Sequence, residues 1–298
     1  MTPAADRRPQ TIGELLDRGV RVYVSAFARF FLPLGLVALV FLTVDTIVDP
    51  QPPSGLFASV AARLHPRQPW EPGPRRRAVP LGARFLKGAA YVVEVALEVN
   101  IAAILMEGLL AGAVPNLGAA VRRGCSRVLL TVGVTLLYWL VAIPIALGLL
   151  IVVGIPVLIV SQFPTLGTTV LPLVFLVGCA AAIVPVALVQ LAWYQSAIAV
   201  TAESEGVLAA FDAGWRRTFF RGGIRRSLAA GHALHAIGIG AALAGDALGS
   251  LIGSIPGLTL AGIVPPSVAA IFATGLETVF IAFYSRDVRA RRGRLDFA

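Results

Sequence analysis

A chain of 298 residues that is 57% hydrophobic and only 14% charged cannot clothe a soluble surface, where about a quarter of residues carry charge. Its mean hydropathy of +0.82 makes lipid the solvent, while two cysteines and abundant Leu, Val and Ile exclude a disulfide scaffold and a disordered tail. The net charge of +9 comes from arginines at the ends of apolar runs, with Lys87 the only lysine. That placement suits membrane topology and anionic headgroups rather than nucleic acid.

The predicted elements follow in chain order. No short apolar run with a small-residue cleavage site opens the chain, so no cleaved signal peptide is expected. Residues 10–29 read as an amphipathic helix begun by a capping box, Thr11 with Glu14. On a 100° wheel Ile12, Leu15, Leu16, Val20, Val22, Tyr23, Phe27 and Phe30 share one face, opposite Glu14, Asp17, Arg18, Arg21, Ser25 and Arg29. A helix in the inner membrane interface has this pattern. Six apolar stretches long enough to cross follow: 30–48, 88–114, 128–152, 170–200, 228–248 and 267–284. Residues 49–87, with eight prolines and the run Arg75-Arg76-Arg77, read as an extended outer loop. Asp45 falls near an outer end, and Cys179 inside an apolar run.

Between Arg127 and Glu203 no residue is charged, which leaves room for two spans or three. Arg122, Arg123 and Arg127 precede the stretch, and Arg216, Arg217, Arg221, Arg225 and Arg226 follow it. With both clusters cytoplasmic the crossings are even in number, hence two, and residues 154–169 become an apolar outer loop or re-entrant segment. Inner segments then carry eighteen basic residues against seven outside, all seven in the first loop. The count sets both termini in the cytoplasm, with 285–298 a basic tail.

A pattern occurs three times, each before an odd-numbered span: Ile12 to Arg21, Leu117 to Arg127 and Val207 to Arg217. In each copy an apolar residue stands seven before a glycine (Gly19, Gly124, Gly214), and arginine follows. In the third, Val207, Leu208, Phe211, Trp215 and Phe219 form the stripe. The expected fold is an all-α polytopic membrane helix bundle forming a single domain. It has six transmembrane helices in three hairpins, each preceded by a cytoplasmic interfacial amphipathic helix. Phe27, Phe211, Trp215, Arg216 and Arg217 are its candidate contacts with lipid or a partner.

The opening Thr11-Ile-Gly-Glu-Leu-Leu-Asp-Arg-Gly-Val-Arg-Val-Tyr23 resembles the start of the membrane domain associated with glycerophosphodiester phosphodiesterases. The segment Glu205-Gly-Val-Leu-Ala-Ala-Phe-Asp-Ala-Gly-Trp-Arg-Arg-Thr218 is similar to that family's acidic-Gly turn, Ala-rich segment and closing Trp-Arg pair. The end, from Tyr284 through Asp287, Arg289, Arg291 and Gly293 to Asp296, is similar to its Tyr–Asp–Arg–Arg–Gly–Asp pattern. The resemblance implies a six-span bundle without an assigned activity, sometimes joined to a soluble phosphodiesterase barrel. No stretch outside the spans is long enough for that barrel, so no catalytic residue carries over. The long Pro/Arg-rich loop departs from the short one the family would have.

Ionisable residues within spans are costly and need a reason, about 2.5–3.5 kcal/mol for an acid at the helix centre. The second span holds Glu94, Glu98, Asn100 and Glu107, with Glu94 and Glu98 on one face and Asn100 and Glu107 nearly opposite. Glu277 matches Glu98 in depth, and His232 with His235 matches Glu107. No Lys or Arg lies within the predicted spans. The acids are then either a proton or cation path through Glu94, Glu98 and Glu277, or neutral hydrogen-bonding glue between helices. His-x-x-His with a nearby Glu could bind zinc, but a metal site needs three or four ligands and Glu107 is the one further candidate at the right depth, so no metal is expected. No P-loop, nucleophile elbow or dinucleotide fingerprint occurs.

The expected function is therefore non-enzymatic and free of cofactor and metal. The leading reading is an accessory or scaffold module in a bacterial cytoplasmic membrane, contacting the bilayer, anionic headgroups and a membrane-protein partner but no nucleic acid. The alternative is a small transporter or channel for an ion, lipid or polar metabolite, using the carboxylates of the second span.

Overall fold

The structure, a computed structural model, describes residues 10–48, 80–113, 116–162, 164–220, 223–255, 261–262 and 264–295. Eight helices and no strand occur among them: α1 (Ile12–Ser25), α2 (Phe27–Val48), α3 (Leu81–Leu110), α4 (Leu117–Ser161), α5 (Pro164–Ala202), α6 (Val207–Thr218), α7 (Ile224–Gly253) and α8 (Val264–Leu295). Six, namely α2, α3, α4, α5, α7 and α8, are long and apolar enough to cross a bilayer. An all-α, multi-pass membrane bundle is the fold, and each of the six predicted spans coincides with one of these helices.

Several boundaries differ from the expectation. The third span runs as one helix of 45 residues, about 67 Å at 1.5 Å per residue, against a hydrocarbon core of about 30 Å. The second amphipathic copy is therefore the N-terminal end of α4 and not a separate interfacial helix. Residues 154–161 continue α4 and residues 164–169 begin α5, so this segment is not a loop. Its Ile, Val and Leu side chains favour helix continuation in lipid, and Pro156 removes a single backbone bond within it. The predicted outer loop is helical from Leu81 onward, starting after Pro80 with φ −53° and ψ 144°. The predicted basic tail is likewise helical through Leu295 as the last turns of α8, with Ser285 and Val288 fully buried. The rest of the Pro/Arg-rich loop, residues 49–79, lies outside the described residues, as do the side chains of Asp45 and Cys179.

The chain divides into two compact units. One comprises residues 1–17, 129–235 and 281–298, and the other 18–128 and 236–280. In the first unit, α6 lies against α4 and α5. Val134, Tyr138, Ala192, Ala199, Val200 and Ala210 form its buried core, with Phe211 and Trp215 partly buried on them. The glycine of the third repeat explains how the helices come so close: a Cβ at Gly214 would stand 2.4 Å from the carbonyl oxygen of Ala192. Tyr138 closes the contact through a 3.0 Å hydrogen bond with Ser196, and Trp193 Nε1 donates to Thr135 at 2.9 Å.

In the second unit, α1 runs antiparallel to α8. Gly19 abuts the backbone of Phe280, and Tyr23 packs on Phe272 at 5.3 Å between ring centroids, with Gly275 leaving it room. Gly19, Tyr23, Ala26, Phe30 and Leu34 form a buried stripe spaced by three or four, continuous from α1 into α2. The apolar face of α1 is thus shared. Leu15 and Tyr23 are buried, while Val20 and Val24 of α1, and Phe27 at the start of α2, remain exposed.

Candidate functional site

The second unit holds a cavity of about 640 Å³ walled by α2, α3 and α8. Its chemistry comes from one face of α3. Arg84, Lys87, Tyr91, Glu94 and Glu98 follow at steps of three and four, so they stack in a single row along the helix, and all five line the cavity. Arg84, Lys87 and Tyr91 are exposed at the mouth, Glu94 is half-buried and Glu98 is 5% exposed. From Lys87 to Glu98 the row descends about 16 Å, roughly half the hydrocarbon thickness. Phe41 and Leu42 of α2 and Ile271 of α8 make the opposite walls apolar. The Thr274 hydroxyl hydrogen-bonds the Glu98 carboxyl from α8.

The absence of Lys and Arg from the predicted spans needs correction. Because α3 begins at Leu81, Arg84 and Lys87 sit on the same helix face as the deep acids. Long basic stems can lie along apolar surface while their charged heads reach water, which is why charge alone is a poor marker of a helix start.

Tyr23 lies near this acid row. Its hydroxyl is buried without a hydrogen-bond partner among the described residues. Burial first, and the Glu98 charge second, push that hydroxyl above the usual phenol range.

The remaining polar candidates of the spans lie elsewhere. Asn100 is fully buried and its Nδ2 donates to Gly124 O of α4 at 3.4 Å, a bond between helices. Glu277 is 5% exposed and does not line the cavity; its Oε1 lies against Gly238 of α7, where a Cβ would be 2.9 Å away. On α8 it follows Ala270 and Thr274 at i+7 and i+3, one turn deeper on the face that lines the cavity. Glu107 is half-buried near the end of α3. In the other unit His232 is exposed and its Nδ1 pairs with Leu228 O at 2.7 Å, while His235 is half-buried. Among the described residues no three His, Cys, Asp or Glu side chains are grouped so as to hold a metal.

The predicted contact residues are engaged within the molecule. Phe211 and Trp215 stand 4.9 and 5.9 Å from the Tyr138 ring, so this part of the α6 stripe packs on its own bundle, while Leu208 and Phe219 remain exposed. Phe27 joins an aromatic group, stacked on Phe31 at 5.1 Å and edge-on to Tyr23 at 5.8 Å. Arg216 pairs with Asp212 one turn earlier, on the exposed side of α6. Arg217 is turned inward to Glu203 instead of toward headgroups.

Sequence reasoning missed the group to which Arg217 belongs. Glu203 also accepts from Arg289 at 2.8 Å. Asp287 accepts from Arg226 at 2.8 Å and Arg291 at 2.7 Å, and from the backbone N–H of Gln10 at 3.4 Å. Two acids thereby tie the end of α5, the start of α7, α6 and the segment before α1 to the last turns of α8. The signal was present in part: Asp287 lies among Arg286, Arg289 and Arg291. Counting only basic residues for topology passed over both acids. No family model, curated protein or solved structure matches the chain.

Proposed function

We propose that this protein is a small membrane carrier whose cavity between α2, α3 and α8 takes a molecule bearing a cationic group, with Glu98 and Glu94 as its counter-charges. The observation that supports the reading is the coincidence of a 640 Å³ cavity with a buried carboxylate in its wall. An acid used only as glue between helices has no need of a space beside it large enough for a solute. Asn100, bonded directly to Gly124, is the contrasting case. The accessory-module reading is less favoured because the side chains suited to a partner, Phe211 and Trp215, are occupied by Tyr138.

The same proposal sets the protein in a bacterial cytoplasmic membrane with both termini inside, on the excess of basic residues in the inner segments. It includes membership of the phosphodiesterase-associated membrane-domain family, on the Thr11–Tyr23, Glu205–Thr218 and Tyr284–Asp296 resemblances.

Proteoliposomes provide the test, with labelled ethanolamine, choline and spermidine and a fluorescent phosphatidylethanolamine as substrates. Wild type should speed the crossing of at least one, and Glu98→Gln should return that rate to the level of protein-free liposomes while its unfolding midpoint stays near wild type. Wild type no faster than empty liposomes for every substrate, or Glu98→Gln at full rate, would refute the carrier.

A further inference from the structure

We infer that the molecule held in this cavity is a zwitterionic amphiphile: an aminophospholipid, or the phosphate–amine headgroup it carries. The inference rests on the carrier reading above and names its substrate class. Three observations bear on it.

The first is the order of charge along α3. The row reads Arg84, Lys87, Tyr91, Glu94, Glu98 from the exposed mouth to the buried end. A site built for a simple cation would not put two fixed positive charges at its entrance, because they repel the ligand before the acids attract it. A site built for an anion would not bury a carboxylate, Glu98, beneath a second half-buried one, Glu94. Cations outside and acids inside, on one helix face, match a ligand with both signs. Arginine and lysine are the side chains that take phosphate, and paired carboxylates take an ammonium.

The second is the wall facing that row. Phe41, Leu42, Ala38 and Ile271 are apolar, so the space accepts hydrocarbon as well as a polar head. An amino acid or polyamine would leave that surface wet, whereas an acyl chain covers it.

The third is depth and access. The mouth residues, with Leu86 at 52% and Tyr91 at 64% exposed, lie within the first three turns of α3, which begins at Leu81, and Glu98 sits about 16 Å beyond Lys87 along the helix. A headgroup entering there meets Arg84 and Lys87 with its phosphate and advances with its amine toward Glu94 and Glu98, while its chains stay on the apolar side. No bond is made or broken in this step.

Native mass spectrometry of the full chain in detergent tests the inference, offering matched phosphatidylethanolamine, phosphatidylglycerol and dodecylamine, with free phosphoethanolamine as a separate arm. Phosphatidylethanolamine should exceed phosphatidylglycerol by about tenfold, the worth of one charge-assisted pair. Lys87→Gln, a change at an exposed position, should lower phosphatidylethanolamine binding and leave dodecylamine unchanged, whereas Glu98→Gln should lower both. Free phosphoethanolamine binding as well as the lipid identifies a soluble headgroup as ligand; binding of the lipid alone identifies the membrane as source. Dodecylamine bound as well as phosphatidylethanolamine, with phosphatidylethanolamine binding insensitive to Lys87→Gln, overturns the zwitterion while sparing the cationic-ligand carrier. Equal binding of phosphatidylglycerol and phosphatidylethanolamine likewise overturns it. Failure of all four ligands sinks both.

Discussion

Replacing Gly214 by alanine should destabilise the protein, although the same change in an open helix is stabilising. Alanine gains about 1 kcal/mol over glycine from helix propensity. At Gly214 the new Cβ would lie 2.0 Å from Ser196 Oγ, 2.4 Å from Ala192 O and 2.7 Å from Tyr138 Oη. Carbon and oxygen in contact stand about 3.3 Å apart, so α6 would have to retreat by about 1 Å from a backbone atom that cannot rotate away. Overpacking of this kind costs about 1–3 kcal/mol. The Tyr138–Ser196 bond, worth about 0.6 kcal/mol between membrane helices, would be strained as well. The upper end applies where backbone is the obstacle, which leaves a net loss of about 2 kcal/mol.

The other repeat glycines grade the effect. At Gly124 the nearest atom is the flexible Ile101 Cγ1 at 2.7 Å, with backbone at 3.5 Å; a side-chain adjustment of about 1 kcal/mol offsets the propensity gain. At Gly19 the closest contact is an ordinary 3.5 Å, so a small gain is expected. Gly148, with nothing within 4 Å, is the control and should gain up to about 1 kcal/mol. Unfolding in mixed micelles of dodecylmaltoside and SDS, followed by tryptophan fluorescence, ranks the four. Gly214→Ala at or above wild-type stability, or Gly19→Ala as the worst of the series, would refute the argument.

Further predictions concern the polar contacts of the first unit. Glu203→Ala strands Arg217, whose side chain is only 9% exposed, and should cost about 3 kcal/mol. Arg289→Ala, with a side chain 42% exposed, should cost under about 1 kcal/mol; equal losses in the same unfolding titration would contradict the burial argument. Tyr284→Phe and Ser227→Ala each break a buried 3.0 Å hydrogen bond. Each should lose about 1 kcal/mol, and the double mutant should lose less than their sum, strict additivity being the adverse result. Asp212→Ala should leave the unfolding midpoint unmoved, because its bond to Arg216 lies on the exposed face of α6.

The spans were legible because a lipid solvent removes ambiguity: a run of about 20 apolar residues has few other fates. Their ends were less legible, since charge is an imperfect stop signal. Arg84 and Lys87 argued for a loop, yet a helix can carry them by extending their heads to the interface. The apolar segment around Pro156 argued for a break, yet one proline costs a helix a single backbone bond and helps only where something else relieves the strain. The amphipathic stripes were seen correctly as stripes. Their partner could not be read, because an apolar face is equally suited to lipid and to another helix. The structure turns the Phe211 and Trp215 face onto Tyr138 and shares the α1 face between protein and surface.

The repeated glycine is where sequence and structure bear most directly on each other. In sequence it was one element of a short recurring pattern. In the structure all three copies are points of close helix approach: Gly19 on Phe280, Gly124 on Ile101, and Gly214 on Ala192 and Ser196. The residue four before each glycine falls on the same face and is buried beside it: Leu15, Ala120 and Ala210. That accounts for the spacing without any role in binding. It also separates two uses of α3: Asn100 and Ile101 meet the Gly124 crossing, while Glu94 and Glu98 turn to the cavity. A helix polar on two sides is then explained by two different neighbours. One is a packed helix that needs a hydrogen bond, and the other is the wall of a cavity, where Thr274 of α8 bonds the Glu98 carboxyl.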